Sequence, residues 1–439
     1  MKHTARKLIH TDDDMFPFMP KDWISIPLKY VASCNDNLLP ESTDKNYEFD
    51  YVDISSVKYG EGITGKQRMV FKDAPSRARR IVRVNDIIFS TVRTYLKAVA
   101  NISGFDYPLI VSTGFAVIRA KKSVIFPNFM KYCLLSDGFI SKIDKWSTGS
   151  NYPSINAPVI MNQKILLPSI PEQQQIAAYL DDKCAKIDEA IIKHRTLIEK
   201  LKEYRKAVIT KAVTKGLDPN VEMKNSGIQF IGEVPSAWKT MKIRYVADIV
   251  RGGSPRPIDQ YISTDDSGYN WIKIGDAVLG DKHIHSTKQR IIPEGLSKTR
   301  YVKKNTLILT NSMSFGHPYI LDIDGCIHDG WLAFSNYKGV DKEFLYFFLV
   351  SDTCMSQFVT TADGSVVQNL NIDKVKNSFM AVPSIEEQKE IVNALDTKCA
   401  KIDEAIARHE GLITKLEEYK KSIIYNAVTG KIDCRKDAE

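Results

Sequence analysis

A chain of 439 residues is too long for one compact core, and at roughly 150 residues per domain it holds about three folding units. Apolar residues make up 43% and charged residues 26%, ordinary values that exclude wholesale disorder. The net charge of +8 is a mild basic excess, compatible with a nucleic-acid partner without being diagnostic of one.

The longest apolar run, 344–350, is far too short to span a bilayer. Lys2, Arg6 and Lys7 are followed by Asp12, Asp13 and Asp14 rather than by an apolar stretch, so no secretory leader is expected. Seven scattered cysteines with no CxxC pair argue against a disulfide framework or a zinc ribbon and for a reducing, cytoplasmic setting.

In chain order, residues 1–19 read as an N-terminal segment and 20–170 as a first globular domain of mixed α and β type. Its strand-like runs are 81–84, 87–90, 114–119 and 165–167, and a short apolar helix near 129–135 precedes the last of them. The region 171–217 carries one long helix over 172–214. Its seam runs Ile176, Leu180, Cys184, Ile187, Ile191, His194, Ile198 and Leu201, then Val208 and Ala212, mostly in steps of three, four or seven. Pro171 suits the first turn and Gly216 falls just past the end.

The polar stretch 218–234, with Pro219, Asn220, Ser226 and Gly227, reads as a linker. A second mixed domain covers 235–385, with strand-like runs at 306–310, 331–334 and 380–382 and an apolar helix near 344–349. A second long helix occupies 386–430, with the seam Ile391, Leu395, Cys399, Ile402, Ile406, His409, Ile413 and Leu416, then Ile423 and Ala427, before Gly430. Residues 431–439 are a tail. Two helices with similar stripes bury them most simply against each other, as an antiparallel pair.

This order repeats itself. The 51 residues starting at Pro168 and those starting at Pro383 align without a gap and share about 30 identities, at an offset of 215. The same offset pairs Pro20 with Pro235, Trp23 with Trp238, Tyr30 with Tyr245, Gly149-Ser150 with Gly364-Ser365, and Asn156 with Asn371. Between these anchors the halves diverge. A protein that keeps its helices alike and lets its globular parts differ uses the helices for one fixed purpose and the globular parts for two versions of one job.

Two motifs mimic chemistry. Gly60-Glu61-Gly62-Ile63-Thr64-Gly65-Lys66 satisfies GxGxxG and part of a phosphate loop. Gln67 stands where the magnesium-ligating hydroxyl belongs, however, and no helix pattern follows, so a glycine-rich turn is expected. Cys184 with His194 and Cys399 with His409 suggest zinc. An antiparallel pair meeting near residue 194 separates the cysteines by about 20 residues, or roughly 30 Å, which no tetrahedral site spans. No HExxH, GxSxG or amino-methyltransferase Pro-Pro motif is present.

Basic and polar clusters recur at matching places in the divergent parts. The first half offers Arg77, Arg79 and Arg80 just before a strand, then Arg93, Tyr95 and Lys97, then Ser150, Asn151, Tyr152 and Asn156. The second offers Arg251 and Arg256, then Asn311, Ser312, Ser314, His317 and Tyr319, then Ser365, Gln368, Asn369 and Asn371. Arg, Asn, Gln and Ser on loops are side chains that hold phosphates and read base edges, so these are the candidate DNA contacts.

Taken together, the duplicated P-S-I-x-E-Q openings of the helices (Pro168 to Gln173, Pro383 to Gln388) and their Ile-Asp-Glu-Ala-Ile cores (from Ile187 and Ile402) resemble the DNA specificity subunit of type I restriction-modification enzymes. So do the segment from Ser226 to Trp238, Ser112-Thr113-Gly114-Phe115, and Asn311-Ser312-Met313. The resemblance covers nearly the whole length. It implies two target recognition domains, each reading one half of a bipartite site in double-stranded DNA. It also implies that the helices dock two modification subunits that methylate adenine and, through them, restriction subunits. S-adenosylmethionine, ATP and Mg would be used by those partners; this chain would hold no cofactor or metal and catalyse nothing.

Geometry agrees. A helix of about 43 residues is about 65 Å long, and domains overlapping its ends would sit roughly 35 to 45 Å apart, near one turn of DNA. Unlike halves imply an asymmetric site. The rival readings are a nucleotide hydrolase using Lys66 and a coiled-coil scaffold whose globular ends bind proteins.

Overall fold

In the run Ile87–Ser90 every residue is buried, yet the side chains part in two directions. Ile87 and Phe89 enter a core beneath helices, and Ile88 enters a second core between two sheets. A strand covered on both faces reads as a continuous apolar run for this reason. Phe115–Ala120 alternates in the same way, with Ala116 and Ile118 under the helices and Phe115 and Val117 between the sheets. The computed structural model describes residues 7–11, 16–149, 153–263, 267–311, 315–360 and 370–434. The chain divides into two units, Met1–His194 with Gly411–Glu439, and Arg195–Glu410.

In the first unit one sheet has the order Val99–Asn101, Ile87–Ser90, Phe115–Ala120, Ala32–Cys34. The other has Gln67–Val70, Glu48–Val52, Leu109–Ser112, Ala78–Ile81, with Leu109–Ser112 parallel to Glu48–Val52. The second unit repeats both orders. Pro318–Leu321, Leu307–Thr310, Trp331–Ser335 and Asp248–Arg251 form one sheet, extended by His283–Ile284. Arg290–Ile291, Tyr269–Ile272, Gly325–Ile327 and Arg300–Val302 form the other. The divergent sequences therefore share one topology.

Long helices run over Ile170–Lys215 and Ile385–Val428. In the first unit Ile176, Leu180 and Cys184 of the first helix share a core with Ile423, Ala427 and Val428 of the second, and Lys420 pairs with Asp188 at 2.6 Å. One residue number falls as the other rises, so these segments run antiparallel. In the second unit Ile209 and Val213 share a core with Ile391, Leu395 and Cys399, and Arg205 pairs with Asp403 at 2.9 Å. Every expected seam residue is buried or half-buried. Past the second helix Gly430 has φ +67, and a Cβ there would lie 2.4 Å from Pro20, so only glycine lets the chain turn against the opening ribbon.

Some expectations are corrected. The strand expected at 81–84 is Ala78–Ile81: Ala78 is fully buried and Val84 is half exposed, so Arg79 and Arg80 lie within the strand, not before it. The stretch read as a linker pairs Met223–Asn225 with Glu233–Pro235, which matches the ribbon Leu8–His10 with Phe18–Pro20 residue for residue at the 215 offset. Each half thus begins with this ribbon. The helical layer is also larger than one apolar helix. Asp137–Lys145 follows Pro127–Leu135, with Ser136 capping it by accepting from the Phe139 N–H. Asp352–Thr360 follows Lys342–Val350 in the second unit.

A buried ion pair fixes the edge of the first domain. Arg119 donates to both carboxylate oxygens of Asp86 at 2.9 and 2.6 Å and to Asn37 at 2.7 Å. The Gly60–Lys66 stretch is a hairpin, Val57–Lys58 with Gly62–Ile63, followed by the strand Gln67–Val70. Lys66 pairs with Asp50 at 3.1 Å, and a strand rather than a helix N-terminus follows the glycines, so the stretch is a glycine-rich turn and not a phosphate loop. Among the described residues no helix is long and apolar enough to cross a membrane, and no cluster of three His, Cys, Asp or Glu is set to hold a metal.

Candidate nucleic-acid interface

Where the second domain's chain crosses from one sheet to the other, between Gly325–Ile327 and Trp331–Ser335, it turns through His328-Asp329-Gly330. Three segments converge on this turn. Arg251 ends a strand, and the glycines after it zip onto the crossing: Gly252 N–H donates to the Trp331 carbonyl and Gly253 N–H to that of Ile327. A Cβ on Gly252 would stand 2.2 Å from the His328 carbonyl, which only glycine avoids. Asp329 is the hub. Arg251 Nε donates to its carbonyl at 2.9 Å, Ser254 Oγ to its carboxylate at 2.9 Å, Asn311 Nδ2 to its carbonyl at 3.0 Å, and Arg256 lies 3.7 Å from the carboxylate.

His328 Nδ1 accepts from the Gly330 N–H at 2.9 Å, a bond that favours the neutral ring. Its Nδ1 is also 3.0 Å from Asp329, which alone would favour a proton there. Burial, joined by Lys273, Arg256 and Arg251, outweighs Asp329 and pushes the pKa down.

The first domain builds the same turn from other residues. Ser112 Oγ accepts from the Gly114 N–H at 3.3 Å, as His328 does from Gly330. Thr91 N–H donates to the Gly114 carbonyl as Asn311 N–H does to that of Gly330. A Cβ on Gly114 would meet Ile54 Cδ1 at 2.6 Å, and one on Gly330 would meet Ile274 Cδ1 at 2.7 Å. The third segment is also shared, since Ile155 N–H donates to the Thr91 carbonyl and Leu370 N–H to that of Asn311, both at 2.8 Å. Each domain thus has a rim of three loops in which equal backbone bonds carry unlike side chains.

The structure sorts the candidate contacts. Arg93, Tyr95 and Lys97 lie on the rim; Arg93 and Lys97 take the left-handed conformation, and the Arg93 N–H donates to the Pro153 carbonyl. Arg77 joins them through its carbonyl, which accepts from Thr113 N–H, while its guanidinium is held by Asp53 at 2.6 Å. Arg79 and Arg80 turn elsewhere. Arg79 stacks 4.7 Å from the Phe71 centroid, and Arg80 is half-buried near Cys34, its pKa lowered by desolvation.

Asn156 and Asn371 are helix N-caps, and Asn371 accepts from the Lys374 N–H at 2.8 Å. Arg251, Arg256 and Asn311 meet at Asp329, as above. His317 ends the loop before Pro318–Leu321 and is half-buried, its pKa lowered by burial and then by Lys206. Tyr319 is corrected: it is 3% exposed and packs edge-on against Trp331 between the sheets, so it is a core residue. Ser150, Asn151, Tyr152, Ser312, Ser314, Ser365, Gln368 and Asn369 lie outside the described residues.

Sequence reasoning passed over Asp329, Ser254 and His328. The available signal was the Asp-Gly pair between apolar Ile327 and Trp331, a turn in which an aspartate reaches nearby backbone.

The type I restriction modification DNA specificity domain matches the chain twice, over residues 20–203 and 235–418. The MjaVIII specificity subunit of Methanocaldococcus jannaschii is 25% identical over 74% of each chain, and the EcoDI specificity subunit of Escherichia coli is 24% identical over 88% of this chain and 90% of its own. Among solved structures, a chain from work on complex assembly and conformational transition of the type I R-M system superposes with TM-score 0.75 at 20% identity, covering 94% of this chain and 99% of that one. The HsdS subunit from Thermoanaerobacter tengcongensis gives 0.52 at 22% identity, covering 94% and 98%. The chain belongs to the type I restriction-modification DNA specificity family, as a specificity subunit with two specificity domains and not as a catalytic one.

Proposed function

We propose that each domain reads one half of an asymmetric, bipartite site in double-stranded DNA through its three-loop rim, and that the long helices set the spacer between the half-sites. The observation that carries this reading is the rim itself: one backbone scaffold in both domains, dressed with Thr91, Arg93 and Ser112 in one and with Asn311, Arg251 and His328 in the other. A shared scaffold with different donors suits two different half-sites.

The helices also dock two modification subunits, which use S-adenosylmethionine to methylate adenine, and through them restriction subunits that use ATP and Mg. The complex works in the cytoplasm. Support comes from exposed apolar side chains on the long helices outside the seam. In the second unit Leu197 and Tyr204 are 41% and 50% exposed; in the first, Leu412 and Tyr419 are 38% and 55% exposed. These pairs are seven residues apart and occupy identical repeat positions, so one kind of partner would find two equal apolar footholds. The reading is tested by replacing residues 239–379 with the matching region of a relative. One half of the methylated motif should change while the other half and the spacer stay; a change in both halves would overturn it.

A further inference from the structure

Resting on that DNA-reading function, we propose that Lys421 and its repeat counterpart Lys206 contact DNA phosphates, so that each domain's binding surface is completed by a lysine of a long helix. In the first unit, Lys421 Nζ lies 5.3 Å from the centre of the Tyr59 ring, and Lys97 Nζ of the rim lies 5.1 Å from the same centre. The two ammonium groups are therefore within about 10 Å of each other, a range over which charges in water still interact. Lys97 has no carboxylate partner among the described residues, and Lys421 has one, Asp137 at 3.3 Å, while staying half exposed. Two cations gathered about one half-buried aromatic ring, only one of them paired with a carboxylate, leave a net positive surface beside the rim.

The second unit repeats the placement with other contacts. The Asp352 N–H donates to Thr210 Oγ1 at 3.0 Å, which sets the long helix one turn beyond Lys206 against the start of Asp352–Thr360, while Lys421 itself meets the start of Asp137–Lys145. Lys206 is exposed, has no carboxylate partner among the described residues, and lies near enough to the rim's His317 to act on its charge. Both lysines follow a basic residue in the repeated helix, as Arg205-Lys206 and Lys420-Lys421.

An element that is alike in both halves can recognise only what two unlike half-sites share, and that is the sugar-phosphate backbone. Lysine, a point charge on a flexible stem, suits phosphate better than base edges.

The test uses the chain assembled with its modification subunits and a duplex carrying its own methylated motif, with a scrambled duplex beside it. Affinity is measured from 50 to 200 mM salt for the wild type, Lys421→Gln, Lys206→Gln, Lys421→Arg and Asp137→Asn. Each Gln variant should lower the slope of log affinity against log salt by about 0.9, so the fourfold rise in salt costs it about threefold less affinity than the wild type. The preference for the cognate duplex should stay, and Lys421→Arg and Asp137→Asn should keep the wild-type slope. A wild-type slope in both Gln variants, with cognate preference intact, would overturn the phosphate contacts and leave the DNA-reading function standing. The same slope loss in Asp137→Asn as in Lys421→Gln would make Lys421 a structural residue and also overturn the proposal. A wild-type complex with no cognate preference would overturn both.

Discussion

The indole N–H of Trp23 donates to Glu172 Oε2 at 3.2 Å, and 215 residues later Trp238 donates to Glu387 at 3.0 Å. Both indoles are almost fully buried. The bond ties the region after the opening ribbon to the first turn of a long helix. The neighbouring glutamines complete the joint. Gln173 accepts from Phe126 N–H at 2.7 Å and donates to the Val124 and Pro168 carbonyls; Gln388 accepts from Asp341 N–H at 2.6 Å and donates to those of Gly339 and Pro383. The Glu-Gln pair at the start of each helix is thus the anchor that fixes the helix to its domain. Glu387→Ala strands a buried indole N–H and should cost about 1–3 kcal/mol by chemical denaturation, while Glu387→Gln, which keeps an acceptor, should retain most of that stability.

The Asp86–Arg119 pair makes a sharper stability prediction. Asp86 is 1% exposed, and Arg119 grips both its oxygens. Arg119→Met should destabilise the first domain by about 3–5 kcal/mol, because it leaves a buried carboxylate uncompensated. Urea unfolding of the full chain should show the loss.

Much of the architecture was legible in the sequence, for a physical reason. The long helices repeat without gaps because their seams and anchors must meet the same partners twice, so Ile187 and Ile402, or Glu172 and Glu387, stand out at one offset. The rims were legible only as polar loops. Gly114 corresponds to Gly330 at an offset of 216 and Thr91 to Asn311 at 220, so the ungapped comparison lost them. What is preserved there is a set of backbone bonds, which unlike side chains supply equally well: Ser112 Oγ and His328 Nδ1 accept the same N–H. Arg79 was misplaced because Ala78, a small residue at a fully buried strand start, carries little strand signal. Tyr319 looked like a loop aromatic because its partner Trp331 is distant in sequence.

Asp329 should matter to one half-site only. Asp329→Ala removes the carboxylate that holds Ser254 and lies beside Arg256. In competition binding against duplexes randomised in one half-site at a time, this variant should lose discrimination in one half by about 1–3 kcal/mol for each base pair whose contact is lost. Discrimination in the other half should match the wild type.

Acid should weaken the second domain. His317 and His328 have folded-state pKa values below the ordinary 6.5, chiefly through burial. Below pH 6.5 the unfolded chain therefore binds more protons than the folded one. Their contribution to stability is complete above that pH and is lost as pH falls through the lower folded values. Thermal midpoints from pH 8 to 5 should fall less steeply in the His317→Asn, His328→Asn double variant than in the wild type.

The helices should act as a ruler. Inserting one heptad at matched positions of both long helices preserves the seam and lengthens it by about 10 Å, or about three base pairs of DNA. The spacer of the methylated motif should lengthen by about that amount with both half-sites unchanged. Altered half-sites with an unchanged spacer would contradict the ruler.

The central claim, that this chain alone chooses a split DNA site, is tested most directly by methylome sequencing. A host free of DNA methylation would express the chain with its modification subunits, and a control would omit the chain. The expected result is one new adenine-methylated motif, asymmetric and split by a fixed unread spacer, that disappears when the chain is omitted. The same methylation without the chain, or none from an assembled complex, would contradict it.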